Sequence, residues 1–299
     1  MRLVRFVAVG REEAGPRIGV QPEDSGAVVD ITALLPDASS DMVRLVQAWD
    51  SLGGADGIAR LAAGSPTVAF GAFRLLAPIL PVSNVIAVGR NYRDHAAEFS
   101  ASGFDASEKQ VIPDHPIVFT KASSSVVGPG DAIVLANDPS GTTDYEGELG
   151  VIIGRTARNV GRAEALEYVF GWTLINDVTA RELQKQHVQW FIGKSPDTFC
   201  PLGPCIVTRD ELADVDQLRI RTRVNGELRQ DLATSAMIFD VNGLIETLSR
   251  VMTLRPGDVI ATGTGLGVGI GRDPVVYLQS GDVVEVEADR IGVLRNPVV

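Results

Sequence analysis

The sequence predicts a β-rich α+β fold, a small N-terminal unit over residues 1–75 followed by a larger domain over 76–299. Three observations predict it. Strand-like segments dominate the second half and are separated by Asn-Gly, Pro-Gly-Asp and Ser-Gly-Asp turns. Helical stretches are scattered and do not alternate with strands as in a doubly wound sheet. At 299 residues the chain is long enough for one large domain or two of about 150 residues.

In chain order, RLVRFVAVG and PRIGVQP alternate like strands, GAVVDITALL follows, and residues 41–49 read as a helix before a Gly/Ala-rich stretch. None of this concentrates polar residues in a way that suggests chemistry. Two prolines and the strand-like VIAVG, 85–89, open the larger domain. Residues 100–116, polar and without a period, form a candidate mobile loop or lid. Asn225-Gly226 between RIRTRV and ELRQDL is a strong hairpin signal. Turns at 255–258 and 280–282 introduce DVIATG and VVEVEAD. Helices are expected over 162–170, 179–189 and 241–252, the second opening with the capping-box spacing Thr179-Ala-Arg-Glu182.

Composition narrows the function classes. Hydrophobic residues at 45% and charged residues at 22% are those of an ordinary globular protein. The longest apolar runs, VIAV and LGVII, fall far short of the roughly 18 residues of a membrane span. Arg5 breaks the N-terminal segment and no small-residue cleavage site follows, so the expectation is a cytoplasmic protein without a membrane partner. A net charge of -11 and no dense Lys/Arg cluster argue against a nucleic-acid partner. Cys200 and Cys205 are too few for a disulfide framework and read as structural, reduced cysteines.

The stretch DYEGELGVIIG, 144–154, places Glu146 and Glu148 two apart on a strand and therefore on one face. Either that face is open to water or something positive sits between them. Asp177 ends an apolar strand just before a predicted helix, where an acid has an ordinary stabilising role. If the three carboxylates meet, they make an all-oxygen site suited to Mg²⁺ or Mn²⁺; zinc lacks its preferred ligands here. His95 and Glu98 are spaced i, i+3 and share a helix face, either as a proton-accepting pair or as an incidental pair on a solvated surface. His115 and His187 read as surface residues. Lys194, in FIGKSPDTFCPLGP, can hold a substrate carboxylate, although exposure is the default for lysine. The Gly-rich ATGTGLGVGIG, 261–271, fits neither G-x-G-x-x-G nor G-K-[ST] and is not followed by a helix, which excludes a nucleotide site. Its glycines instead let the backbone approach a small anion, with Thr264 contributing a hydroxyl.

GRNYRDHAAE, DYEGELGVIIG, INDVTARELQ, QWFIGKS, VNGELRQ and RPGDVIATGTGLGVG, in that order over most of 85–299, resemble the fumarylacetoacetate hydrolase family in its acylpyruvase-like branch. The resemblance implies a mixed β-roll catalytic domain, paired as a homodimer, with Mg²⁺ or Mn²⁺ held by Glu146, Glu148 and Asp177. It implies that His95 and Glu98 form the catalytic pair on a lid, that Lys194 stands in the active site, and that Arg90, Gln184 and Thr264 are substrate contacts. Some family members carry a further acidic metal ligand upstream; GRNYRDH offers no equivalent. The reaction expected is hydrolysis of a carbon-carbon bond in a 2,4-dioxo acid of the acylpyruvate or fumarylpyruvate type. The products are then pyruvate, or a related 2-oxo acid, and a carboxylic acid. Oxaloacetate decarboxylation and isomerisation of an unsaturated 2-oxo dioic acid pass through the same enolate and stand as alternatives. A non-catalytic, metal-dependent binding protein for small acids is a third.

Overall fold

The computed structural model describes residues 1–22, 26–35, 39–104 and 111–299. The predicted loop at 100–116 therefore lies partly outside the described residues. The N-terminal unit contributes β1 (Arg2–Ala8), β2 (Arg17–Val20) and β3 (Val28–Asp30), then helices α1 (Met42–Ala48) and α2 (Gly54–Ala62), and strands β4 (Thr67–Val68) and β5 (Phe73–Leu76). The helix expected over 41–49 is α1, and Asp41 caps it, accepting from Val43 N at 2.9 Å.

The second part opens with β6 (Val85–Gly89), α3 (Arg93–Ala101), β7 (Ile117–Lys121), β8 (Val126–Val127), β9 (Thr143–Asp144), β10 (Gly147–Ile153) and β11 (Val169–Asn176). It continues through β12 (Thr179–Ala180), α4 (Arg181–Gln186), α5 (Phe191–Lys194), β13 (Cys200–Thr208), β14 (Arg219–Val224) and β15 (Glu227–Ala233). It closes with α6 (Val241–Val251), β16 (Val259–Ala261), β17 (Val283–Ala288) and β18 (Gly292–Pro297). Asn225 and Gly226 both take positive φ, 54° and 79°, and close the predicted hairpin with Val224 opposite Glu227.

Among the described residues a 12-stranded sheet runs β4-β3-β2-β1-β13-β11-β10-β16-β6-β7, with β5 on β1 and β8 on β13. Arg2 and Leu3 pair with Val207 and Ile206, so one sheet joins the N-terminal unit to the rest. Strands β15-β14-β17-β18 form a second sheet. β10 and β11 are buried along their whole lengths, as expected of central strands covered on both faces. Trp172 of β11 anchors the core, its indole N–H donating to Leu212 O at 2.9 Å. Cys200 and Cys205 are free and buried, and burial pushes the Cys200 thiol up to about 12, consistent with inert packing residues.

Two predicted helices change character. Residues Arg162–Tyr168 form a 3-10 helix rather than the first part of an α-helix, because Val169 is already the first residue of β11, paired with Ile153 of β10. The capping box at Thr179 does not form. Thr179 is extended and paired with Asp144, and its hydroxyl donates to Asp177 O. The Glu182 N–H at the start of α4 is instead accepted by Thr142 Oγ1 at 3.0 Å, a cap supplied from another segment.

Candidate active site

The antiparallel pairing of β10 with β11 explains why three distant acids meet. Gly147 at the start of β10 lies opposite Asn176 at the end of β11. The next residue, Asp177, donates its N–H to Glu146 O at 2.8 Å, and Glu146 N is held by the Asn176 side chain at 3.0 Å. Glu146 and Glu148 share one face by strand periodicity. One carboxylate oxygen from each of Glu146, Glu148 and Asp177 then lies within 4.8 Å of the others, and all three residues are buried. The open-to-water alternative for the acidic face is thereby removed.

What stands against their repulsion is a set of buried cations. Lys194 Nζ bridges Glu146 Oε2 and Asp177 Oδ2, each at 2.7 Å. Arg181 Nη1 lies 2.7 Å from Glu146 Oε1. Lys121 Nζ donates to Asp177 Oδ1 at 2.5 Å, to Val178 O at 3.0 Å and to the carbonyl of Lys194. Burial alone would raise the Glu146 carboxyl, but Lys194 and Arg181 outweigh it and hold that group down at about 2. Burial likewise works against the Lys194 ammonium, and Asp177 and Glu146 overcome it, keeping Lys194 charged. Glu148 differs. Its carboxylate takes the Gly263 N–H at 2.8 Å, and burial, followed by Asp177 and Glu146, pushes it well above the usual carboxylate range.

The donor set is all oxygen and acidic, and its least compensated member is Glu148. That chemistry fits Mg²⁺ or Mn²⁺, hard cations that take carboxylates and retain open positions for water or substrate oxygens.

The second constellation sits on α3. His95 and Glu98 are not on a solvated face: their side chains are 5% and 6% exposed, and His95 Nδ1 lies 3.0 Å from Glu98 Oε2. Glu98 Oε1 accepts from Gly267 N at 3.0 Å. His95 lines a small cavity together with Arg90, Glu146, Arg181, Gln184, Trp190, Lys194 and Thr264. Those side chains leave space for about one water molecule. Trp190 forms a wall, packed edge-on against Phe99 and Phe119, and fits because residue 89 is glycine: a Cβ there would come within 2.2 Å of the indole.

The other expected residues fall as follows. Lys194 is buried within the cluster rather than exposed. Arg90, at φ 56°, donates to Val111 O at 2.8 Å. Gln184 accepts from Arg181 Nη1 at 3.3 Å. Thr264 donates to Gly147 O and accepts from Gln230 Nε2, so its proton is already committed. His115 and His187 are exposed. The Gly-rich loop does use its amides on anions, but on the chain's own: Gly263 holds Glu148, Gly267 holds Glu98, and Gly269 and Ile270 hold Asp144. Lys121, Arg181 and Asp144 were missed by sequence reasoning. The available signal was a lysine ending the apolar strand IVFTK, an arginine within INDVTARELQ and the aspartate that opens DYEGELGVIIG.

A β-rich α+β fold carrying a buried carboxylate cluster beside a His-Glu pair has the chemistry of an enzyme site, with oxygen ligands suited to a hard divalent cation and a positioned proton-transfer pair. Residues 84–299 match the fumarylacetoacetate (FAA) hydrolase C-terminal domain. The chain belongs to the fumarylacetoacetate hydrolase family. It is 48% identical over 226 residues to the oxaloacetate tautomerase YisK of Bacillus subtilis, covering 75% of this chain and 73% of that protein. It is 40% identical over 303 residues to the mitochondrial oxaloacetate tautomerase fahd2 of Xenopus laevis, covering 100% and 90%. Among solved structures it resembles maleylpyruvate hydrolase from Sphingobium sp. SYK-6 in complex with manganese(II) and pyruvate. That likeness has a TM-score of 0.79 at 32% identity and covers 100% of this chain and 99% of that one. Among the described residues no helix is long and apolar enough to cross a membrane.

Proposed function

We propose that this chain is a divalent-cation-dependent enzyme that interconverts the enol and keto forms of oxaloacetate or a closely similar small 2-oxo dicarboxylate. The observation that carries this reading is that His95, held through Nδ1 by Glu98, and Glu146 of the carboxylate cluster face one small cavity. Tautomerisation of a 2-oxo acid needs a group that moves a proton at the carbon beside the carbonyl, and positive charge where the enolate forms. Glu98 takes His95 through Nδ1 and leaves Nε2 for that proton. Lys194 and Arg181 keep their charge beside the cavity and orient the substrate carboxylates, with Arg90 and Gln184 as further contacts. Thr264 serves as an acceptor, its proton being donated to Gly147 O. Glu146, Glu148 and Asp177 would hold Mg²⁺ or Mn²⁺, which when bound supplies Lewis-acid stabilisation of enolate charge. The two tautomerase relatives support the substrate, and the manganese and pyruvate of the hydrolase relative support the cation and the 2-oxo acid class.

Hydrolysis of a carbon-carbon bond in a 2,4-dioxo acid is the second reading, favoured by the likeness to maleylpyruvate hydrolase. In it His95 takes the proton from an attacking water. The test uses chelator-stripped protein with and without Mn²⁺, following the ultraviolet absorbance of freshly dissolved enol-oxaloacetate, evolved carbon dioxide, and acetate released from acetylpyruvate. Mn²⁺-dependent loss of the enol without carbon dioxide or acetate is expected. Acetate release without accelerated enol decay would establish the hydrolase, and carbon dioxide the decarboxylase.

A further inference from the structure

Asp144 is a fourth buried acid at this site, yet it does not line the cavity. Its Oδ1 accepts from Tyr145 N at 2.9 Å and Gly269 N at 2.7 Å, and its Oδ2 from Ile270 N at 3.1 Å and Arg181 Nε at 2.9 Å. Arg181 Nη2 also lies 2.9 Å from Oδ2, as an ion-pair contact. Every one of these neighbours is a donor. The opposite edge of the guanidinium, through Nη1, meets Glu146 Oε1 at 2.7 Å and Gln184 Oε1 at 3.3 Å. Arg181 and Asp144 are both 0% exposed at their side chains, so water replaces none of these partners.

We propose that Asp144 is a positioning residue for the cation site: it clamps Arg181 by one edge so that the other edge fixes Glu146. Arg181 is long, and with Glu146 as its sole acidic partner it could approach that carboxylate from several directions. Bound to Asp144 through Nε and Nη2, it presents Nη1 along one line. With Oε1 fixed by Arg181 and Oε2 by Lys194, the Glu146 carboxylate has one orientation relative to Glu148 and Asp177. The amides of Gly269 and Ile270 anchor the clamp to the loop whose Gly267 holds Glu98, so a single segment sets both the cluster and the His-Glu pair. Such partners behind a ligand are typically worth 10- to 100-fold in metal affinity.

The inference rests on the proposed cation site, and the experiment separates the two. Mn²⁺ binding to chelator-stripped protein is measured from the electron paramagnetic resonance signal of free Mn²⁺, with no substrate present. Asp144→Asn keeps the shape but places an amide N–H₂ against donors whichever way it is turned. Asp138→Asn is the matched control. That buried carboxylate also accepts only from donors, the amides of Ser140 and Thr142 and the hydroxyls of Ser140 and Thr143, and none of them belongs to the cluster. Arg181→Lys preserves the charge but cannot span Asp144 and Glu146, and it tests the same link where Asp144→Asn fails to fold. Asp144→Asn and Arg181→Lys should each weaken Mn²⁺ binding by about 10- to 100-fold while Asp138→Asn keeps wild-type affinity. Wild-type affinity in either of the first two variants, or an equal loss in Asp138→Asn, overturns the positioning role. A wild-type protein that binds no Mn²⁺ overturns the cation site itself, and the positioning role with it.

Discussion

Replacing Gly271 by alanine tests the His-Glu pair without altering either member. Gly271 ends the 3-10 turn Gly269–Gly271 and its backbone lies outside the left-handed region, so a side chain introduces no dihedral strain. A Cβ at this position would stand 1.8 Å from Glu98 Oε1 and 2.1 Å from its Cδ. Moving Oε1 out to the 3.4 Å at which ordinary contact begins requires a retreat of about 1.6 Å. Neither 3.0 Å contact of Glu98, to His95 Nδ1 or from Gly267 N, survives a displacement of that size. The obstructing atoms, Oε1, Cδ and, at 2.4 Å, Cγ, all belong to the Glu98 side chain, so the clash is relieved by turning that side chain away, and the thermal melt checks that the fold persists. The cost in stability is that of leaving the Gly267 amide unpaired, about 1–3 kcal/mol. His95 keeps its ring but loses the group that orients it, and turnover should fall about 100-fold, the lower end of what a positioned proton-transfer group contributes. Mn²⁺ affinity should be unchanged, because Glu98 is held by His95 and Gly267 and not by the cluster. The assay is steady-state turnover of enol-oxaloacetate alongside a Mn²⁺ titration and a thermal melt. Wild-type turnover in a folded Gly271→Ala protein, or a loss of Mn²⁺ affinity as large as the loss of turnover, would refute the reasoning.

His95→Ala removes the proton-transfer group itself, and turnover should drop by about 10²–10⁴ with Mn²⁺ binding retained; unchanged turnover would remove His95 from the mechanism. Glu148 supplies a pH signature. Its folded-state pKa is raised by burial and by Asp177 and Glu146, so its contribution to stability is present below the unfolded value and lost as pH rises through the folded one. In chelator-treated protein the wild type should therefore fall behind Glu148→Gln in melting temperature across that window. A constant gap between the two melting profiles from acid to neutral pH would count against it.

Much of the site is legible in the sequence because it is written in local spacing. His95 and Glu98 lie one helical turn apart, Glu146 and Glu148 two residues apart on a strand, and Asp177 at the end of a strand that pairs back beside them. What spacing cannot supply is the identity of the facing residue. Lys121 ends IVFTK like any terminal lysine, and it is buried because Val178, Asp177 and the last turn of α5 close over it. Arg181 reads as one of the first residues of a capped helix. The pairing of Thr179 with Asp144 removes that cap and turns the arginine inward. The Gly-rich loop suggests anion binding correctly, but the anions are Glu148, Glu98 and Asp144, each far away in sequence. Residues 162–170 carry a helical composition that yields to the ladder at Val169, a tertiary override of local preference.

The charges explain why such a cluster is tolerable and what it is prepared to receive. Four buried carboxylates, Asp144, Glu146, Glu148 and Asp177, face three buried cations, Lys121, Arg181 and Lys194. Asp144, Glu146 and Asp177 each have a cationic partner at hydrogen-bonding distance, whereas Glu148 has a backbone amide. The excess negative charge is therefore localised on Glu148. Burying an uncompensated carboxylate costs several kcal/mol, which a proton relieves by neutralising it and a divalent cation relieves by pairing with it. With a divalent cation the balance of the cluster would pass from one negative charge to one positive, the sign that the proposed dianionic substrate requires at a cavity lined by Arg90, Arg181 and Lys194. Glu148, the one acid of the cluster with no cationic side chain at hydrogen-bonding distance, is thus the group whose charge a proton or a divalent cation most directly compensates.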